Sequence, residues 1–416
     1  MPRKDPFTVI CLLSTRSMAM SVIDKAQHSR KRKLISQGLG DAALRTAEPK
    51  IQARIDVFLK QLAEVDYAAG QAFKAPASAR SWGPKKNMSD ACNFLTFDVF
   101  SDLLLGKSFG MLTSTLNRFI IRGVASSSKR AGIFLQMPWL TNLYADLILF
   151  PDTAVWRSQF FQTVVDISTE RLAIKEGRQD IFQLIQDARD PETGAGMSMN
   201  ELVSECTLLI VAGSDTSSTT LAAAFFYLAK NPHAHQRLAD EICKTFRSLD
   251  DIQGGAELNG CAYLRASIDE ALRLSPPVGG APWREAQRGG ANVDGHRVPA
   301  GYDAGVGTYA MHHSPQYYPR PFDYCPERWL GEGSWTPESV QKAKSAFHPF
   351  SLGPRGCPGK SLAYLEISLA LERTLFLYDF RFANPDDANA SEYVLTDHFT
   401  SAKDGPQLVF KKRVDA

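Results

Sequence analysis

The segment "SMNELVSECTLLIVAGSDTSSTTLAAAFFYLAKNP" constrains the fold more than any other part of the chain. Ser198 with Glu201 three residues on forms a capping box, and the next strong stop is Asn231-Pro232, so the spacing predicts one uninterrupted helix of roughly thirty residues. Its middle is apolar nearly all round, which only the interior of a large fold can accommodate. The rest of the chain must therefore wrap around it. Further amphipathic stretches supply the wrapping: "AALRTAEPKIQARIDVFLKQLAEV", "NMSDACNFLTFDVFSDLLLGKSF", "VWRSQFFQTVVDISTERLAIKEG", "HAHQRLADEICKTFRSL" and "CAYLRASIDEALRLS", the last stopped by Pro276-Pro277. Beyond that stop, "GGAPWREAQRGGANVDGHRVPAGYDAGVGTYAMHH" is glycine-rich with short β-prone runs and a turn signal at Asp294-Gly295, and reads as a small sheet. A final helix is expected from Gly359 to Tyr378, then a β-prone tail ending "GPQLVFKK". The fold class is mainly α with a minor β portion.

Composition narrows the function. The 416 residues are 44% hydrophobic and 22% charged with a formal net charge of +2, which leaves material for a large core and gives no sign of a nucleic-acid binder. No Gly/Ser linker, repeat or low-complexity tract divides the chain, so residues 1–416 are expected to form a single domain. The seven cysteines are odd in number, scattered and without a CxxC pair, which fits a reducing compartment better than a disulfide framework. No run approaches the ~18 apolar residues of a membrane span, and "FTVICLL" is too short, so the chain as given reads as soluble and intracellular.

One cysteine stands apart. In "PFSLGPRGCPGK", Gly353, Gly356 and Gly359 permit positive φ while Pro354 and Pro358 fix φ, so the loop is built for one shape. Cys357 falls just before a helix, where unpaired amides and the positive dipole end favour a thiolate, a good ligand for iron. Cys92, Cys206 and Cys243 read as structural cysteines.

Phe350, Gly353, Arg355, Cys357 and Gly359 match FxxGxRxCxG, and here the chain resembles the cytochrome P450 family of haem-thiolate monooxygenases. Other segments extend the resemblance. "EALR" supplies an ExxR pair, Glu270 and Arg273, three apart on one helical face. Pro326-Glu327-Arg328 supplies a third partner in Arg328, and the family's use of this trio is structural. "AGSDTS" matches the family's acid-alcohol motif, which implies that Thr216 holds dioxygen by a hydrogen bond and Asp215 helps bring the protons that cleave O–O. His28 and Arg32 occupy the family's W-x-x-x-R positions, with His28 in place of the Trp, and with Arg284 and Arg355 they are the implied partners of the haem propionates. Arg30, Lys31, Lys33 and Lys360 are left as a basic rim, which in the family docks a reductase. Leu208, Leu209, Ala212, Val278, Gly279, Gly280 and Phe399 are the expected pocket walls.

The resemblance implies haem b with Cys357 as axial ligand, O2, a lipophilic small-molecule substrate and electrons from an NADPH-cytochrome P450 reductase. A thiolate ligand favours O–O cleavage and so an oxidant able to attack an unactivated C–H bond. "PPVGGAPWRE", "VDGHRVPAG" and "PERWL" are most similar to filamentous-fungal members of secondary metabolism. Eukaryotic-type members carry on the order of a hundred further residues in front, including an endoplasmic-reticulum anchor, the first helices and much of the minor sheet, and this chain is expected to lack them. Two other functions remain open on sequence: a haem-thiolate isomerase or dehydratase that needs no reductase, and a haem-poor, non-catalytic protein.

Overall fold

The computed structural model describes residues 18–66, 71–72, 82–137, 139–140, 148–173 and 180–413. Cys11, the "FTVICLL" run and residues 174–177 of the third amphipathic stretch lie outside the described residues. The helices are α1 (Lys25–Gly38), α2 (Asp41–Glu64), α3 (Met88–Leu105), α4 (Phe119–Gln136), α5 (Pro151–Ala173), α6 (Ile181–Asp187), α7 (Met199–Lys230), α8 (Pro232–Thr245), α9 (Ala256–Gly260), α10 (Ala262–Leu274), α11 (Thr308–His312), α12 (Pro337–Ser345) and α13 (Lys360–Leu377).

The long apolar segment is α7, and its start and stop follow the signals in the sequence. The Ser198 hydroxyl accepts from the Glu201 amide while the Glu201 carboxylate accepts from the Ser198 amide, and Asn231 closes the helix ahead of Pro232. Of the described helices, α7 is the one long and apolar enough to cross a membrane, yet 61% of its most apolar window is buried inside the fold. Helices α3, α8, α10 and α13 pack around it. α3 is buried at every residue but Asp90, so two largely buried helices lie side by side at the centre. Their contact is close because Gly213 has no side chain: a Cβ there would stand 2.0 Å from the Phe100 ring. The hydroxyls of the same stretch are satisfied across the contact, Ser214 donating to the Thr96 carbonyl (3.2 Å) and Ser218 to Asn93 Oδ1 (2.6 Å).

The β portion is a set of short pieces. β1 (Val65–Asp66) pairs with β2 (Gln71–Ala72), and a three-stranded antiparallel sheet has the order β3 (Lys86–Asn87), β11 (Gln407–Lys412), β8 (Tyr378–Phe382). β4 (Arg284–Glu285) pairs with β7 (Asp303–Ala304), β5 (Ala291–Val293) with β6 (His296–Val298), and β9 (Leu395–Thr396) with β10 (Ala402–Lys403). Asp294 and Gly295, at φ 49° and 80°, make the tight turn of the β5–β6 hairpin that the Asp-Gly signal predicts. The glycine-rich region is not sheet throughout, because its end, residues 308–312, coils into α11. The final helix is one residue shorter than expected at each end: Gly359 caps α13 and Tyr378 already belongs to β8.

Candidate active site

The cysteine loop takes its shape from a few backbone bonds. Gly353 to Arg355 form one 3₁₀ turn, the Gly356 amide donates to the Gly353 carbonyl (3.0 Å), and the Cys357 amide donates to the Phe350 carbonyl (2.8 Å). Of the three glycines able to take positive φ only Gly353 does (68°); the loop's second left-handed residue is Ser351 (58°). Phe350 packs against Tyr364 of α13, with ring centroids 5.2 Å apart. The Cys357 side chain opens onto a cavity, while the protein atoms behind it desolvate the thiol and push its pKa up. The Gly359 amide and the charges of Arg32 and Lys360 pull it back without prevailing, so the helix-end stabilisation expected from sequence is present but outweighed.

Behind the loop, the Glu270 trio is fully buried. Arg273 grips Glu270 through two bonds (2.9 and 2.8 Å), Arg328 Nε approaches at 3.4 Å and the Cys325 amide donates at 3.1 Å. Trp329 Nε1 adds a bond to Glu270 Oε2 at 2.9 Å; it follows Arg328 directly, and sequence reasoning passed over it because an indole in an aromatic-rich stretch reads as packing. Both arginines also donate to backbone carbonyls, Arg273 to His312, Pro321 and Asp323, Arg328 to Pro319 and Arg320. Burial alone would lift the Glu270 carboxyl, yet Arg273, Arg328 and the Cys325 amide hold it below the usual carboxylate range. The irregular segment that leads toward the cysteine loop is thus tied to α10.

The cavity has a volume of about 1190 Å³ and is bounded by α7, the cysteine loop, the turn after α10 and the segment 397–400. Leu208, Leu209, Ala212, Val278, Gly280 and Phe399 line it, and of the expected walls only Gly279 does not. Thr216 faces it and donates to the Ala212 carbonyl (2.8 Å). Asp215 is on the same turn but does not line the cavity; Lys403 of β10 holds its carboxylate at 3.2 Å and also donates to Thr219 Oγ1 (2.9 Å). Lys403 had no signal in the sequence, since a lysine in a β-prone tail reads as surface.

His28, Arg32, Arg284 and Arg355 all line the cavity, and Arg32 and Arg355 lie close to His28. Arg32 donates to the Gly356 carbonyl, Arg355 to the Val22 carbonyl (2.7 Å), and Arg284 to the carbonyls of Pro282 and Trp283. Burial, with Arg355 and Arg32 close by, pushes the His28 imidazole down, so it is neutral at neutral pH. The expected basic rim is mostly not a rim. Lys31 is 2% exposed and pairs with the buried Glu205 at 2.9 Å, Arg30 pairs with Glu201, and Lys33 pairs with Glu192; Lys360 is exposed as expected. Glu205 also accepts from the Ala19 amide (2.8 Å), which pins the cavity-lining segment 18–22. Residue counting could not reveal that α1 sets its charged face against the start of α7. Cys92 and Cys206 are buried as expected, whereas Cys243 is exposed.

These residues fit a haem. Among the described cysteines only Cys357 lines the cavity, three arginines in the same lining suit carboxylates, and Ala212 adds a small side chain to the wall. The cavity also exceeds the ~300–1,000 Å³ that one drug-sized ligand needs, leaving room for a substrate beside a cofactor.

Comparison with known proteins agrees with this arrangement. The cytochrome P450 family model matches residues 4–407. The chain is similar to the cytochrome P450 monooxygenase poxM of Penicillium oxalicum, 40% identical over 97% of this chain and 76% of that protein. It is 40% identical to atnE of Emericella nidulans (95% of this chain, 76% of that protein) and 39% identical to apf7 of Gibberella fujikuroi (94% and 77%), both also cytochrome P450 monooxygenases.

Proposed function

Because the chain belongs to the cytochrome P450 family and is a P450 monooxygenase, we propose that it inserts one oxygen atom from O2 into a C–H bond of a lipophilic small molecule, in a pathway of fungal secondary metabolism. The observation that carries this reading is the meeting of Cys357 and Thr216 in one largely apolar cavity. Haem bound there through a cysteine thiolate supplies the oxygen-activating chemistry. An NADPH-cytochrome P450 reductase is the proposed electron source.

The chain's own residues do the rest. Cys357 would hold the group as a thiolate, and the Gly359 amide, Arg32 and Lys360 favour that anion. Arg32, Arg284 and Arg355, with neutral His28 beside them, take the carboxylates of the group. Leu208, Ala212, Val278 and Phe399 orient the substrate and exclude water. Thr216 lines the cavity with its hydroxyl proton on the Ala212 carbonyl, and it passes a proton on by exchanging that bond. Asp215 reaches Thr216 after release from Lys403 or through a water, which makes the Asp215–Lys403 pair the control point of proton entry.

The reduced, carbon-monoxide difference spectrum, with haem quantified, tests the cofactor assignment. A strongly red-shifted Soret band in the parent and its loss in Cys357→Ala are expected; a neutral-ligand band in the parent would overturn it. Thr216→Ala is expected to divert reductant into peroxide with little change in haem content. Unchanged coupling of reductant to product in that variant removes Thr216 from the relay.

A further inference from the structure

The short helix α11 ends on a fully buried histidine, His312. Its backbone carbonyl accepts from Arg273 (3.0 Å), and the Tyr309 amide of the same helix donates to the Gly279 carbonyl (2.9 Å), so α11 is fastened to the end of α10 and to the turn after it. The ring reaches the other way. Nε2 accepts from the His348 amide (3.2 Å), at the residue where the chain enters the cysteine loop. One residue thus joins the Glu270 centre to the loop. The bond also heads a series: the His348 carbonyl accepts from the Ser351 amide (3.0 Å), and the Phe350 carbonyl inside that turn accepts from the Cys357 amide (2.8 Å). Where His348 is held therefore bears on where Cys357 is presented.

The side chain suits a fixed acceptor. Its ring stacks on Phe347 (centroids 5.3 Å apart, planes at 29°) with Tyr318 edge-on at 6.2 Å, which holds its plane. Burial, with Arg273, His313 and His348 around it, pushes the imidazole down to about 3, so it is neutral at neutral pH. With Nε2 accepting, the single ring proton is on Nδ1. Nδ1 has no partner with hydrogen-bond geometry, although the Arg273 backbone is near enough to favour the proton. A buried donor left unpaired costs free energy. An apolar ring would stack between the same neighbours without that cost, so what the histidine adds here is the bond to His348.

We propose that His312 is a positioning residue for Cys357: by accepting the His348 amide it ties the start of the cysteine loop to the Glu270 centre and keeps the thiolate at the metal. This rests on reading Cys357 as the axial ligand. The test uses His312→Phe, which keeps a flat ring and drops the acceptor, and His312→Gln, whose side-chain oxygen can stand where Nε2 does. Both are compared with the parent in the haem-loaded chain, in urea below the onset of unfolding seen by far-ultraviolet circular dichroism. The thiolate-type carbon-monoxide band is expected to convert to the neutral-ligand band about tenfold faster in His312→Phe, as one lost hydrogen bond with its donor stranded provides, and within about threefold of the parent rate in His312→Gln. Amide exchange over residues 348–357 should quicken in the same order. Parent-like conversion and exchange in His312→Phe overturn the proposal. So do equal losses in the two variants, which would assign the residue to packing alone; His312→Leu stands in under the same criteria if the phenylalanine variant does not fold. A parent without the thiolate band sinks the monooxygenase reading, and amide exchange then still decides whether His312 holds the loop. A parent with the band and no change in either variant does the reverse.

Discussion

Glu270 on α10 and Glu366 on α13 are equally deep, each fully buried, and chemically identical, yet the fold treats them in opposite ways. Glu270 is surrounded by Arg273, Arg328, the Cys325 amide and the Trp329 indole, and its carboxyl lies below the usual range. Neither oxygen of Glu366 has a partner with hydrogen-bond geometry; the Ser217 hydroxyl is beside it, and burial pushes the carboxyl up to about 8. Depth therefore does not set the charge state of a buried acid: the donors that reach it do. The two helices flank the cysteine loop, one anchored by a saturated ionic centre, the other carrying a neutral acid.

The comparison breaks most visibly at Glu270. Glu270→Ala leaves two buried guanidinium groups without their anion and is expected to cost about 3–5 kcal/mol, seen as a large fall in the urea midpoint and poor soluble yield. Glu366→Gln replaces a neutral acid by a neutral amide and should leave stability near pH 5 almost unchanged. Its effect appears on the alkaline side. The folded Glu366 keeps its proton up to about pH 8 while the unfolded chain loses it near 4.5, so between these values the folded state holds the extra proton and stability falls as pH rises. Glu366→Gln is expected to flatten that fall, with Glu372, also raised to about 8, contributing to the slope that remains; unfolding midpoints at pH 6 and pH 8.5 measure it. Glu270 has the opposite sign, contributing stability above its unfolded value that is lost as pH falls through its lower folded one. The smallest change is Trp329→Phe, which removes one donor from the saturated centre and should cost about 2 kcal/mol at unchanged urea slope.

Much of this was legible from residue order. The capping box at Ser198, the Pro stops, the Asp294-Gly295 turn and the FxxGxRxCxG loop depend on neighbours a few residues apart, and local chemistry of that range is written directly in sequence. The larger differences between expectation and structure are longer in range. Lys31 leaves the presumed basic rim because Glu205, far along the chain, lies opposite it on α7. Residues 308–312 leave the sheet for α11, which places His312 against the Glu270 trio, its carbonyl accepting from Arg273. Cys357 keeps a raised thiol because desolvation by the assembled fold outweighs the local helix end.

The sequence by itself determined the central helix, the mainly α class and the identity of the cysteine that faces the cavity, because each follows from periodicity, capping or a short fixed motif. Only the tertiary structure decided which buried acid is charged, that Lys403 holds Asp215, and that Asp215 stands outside the cavity that Thr216 lines. Those outcomes depend on which donors arrive from distant segments and how much water they displace, and no run of neighbouring residues carries that information.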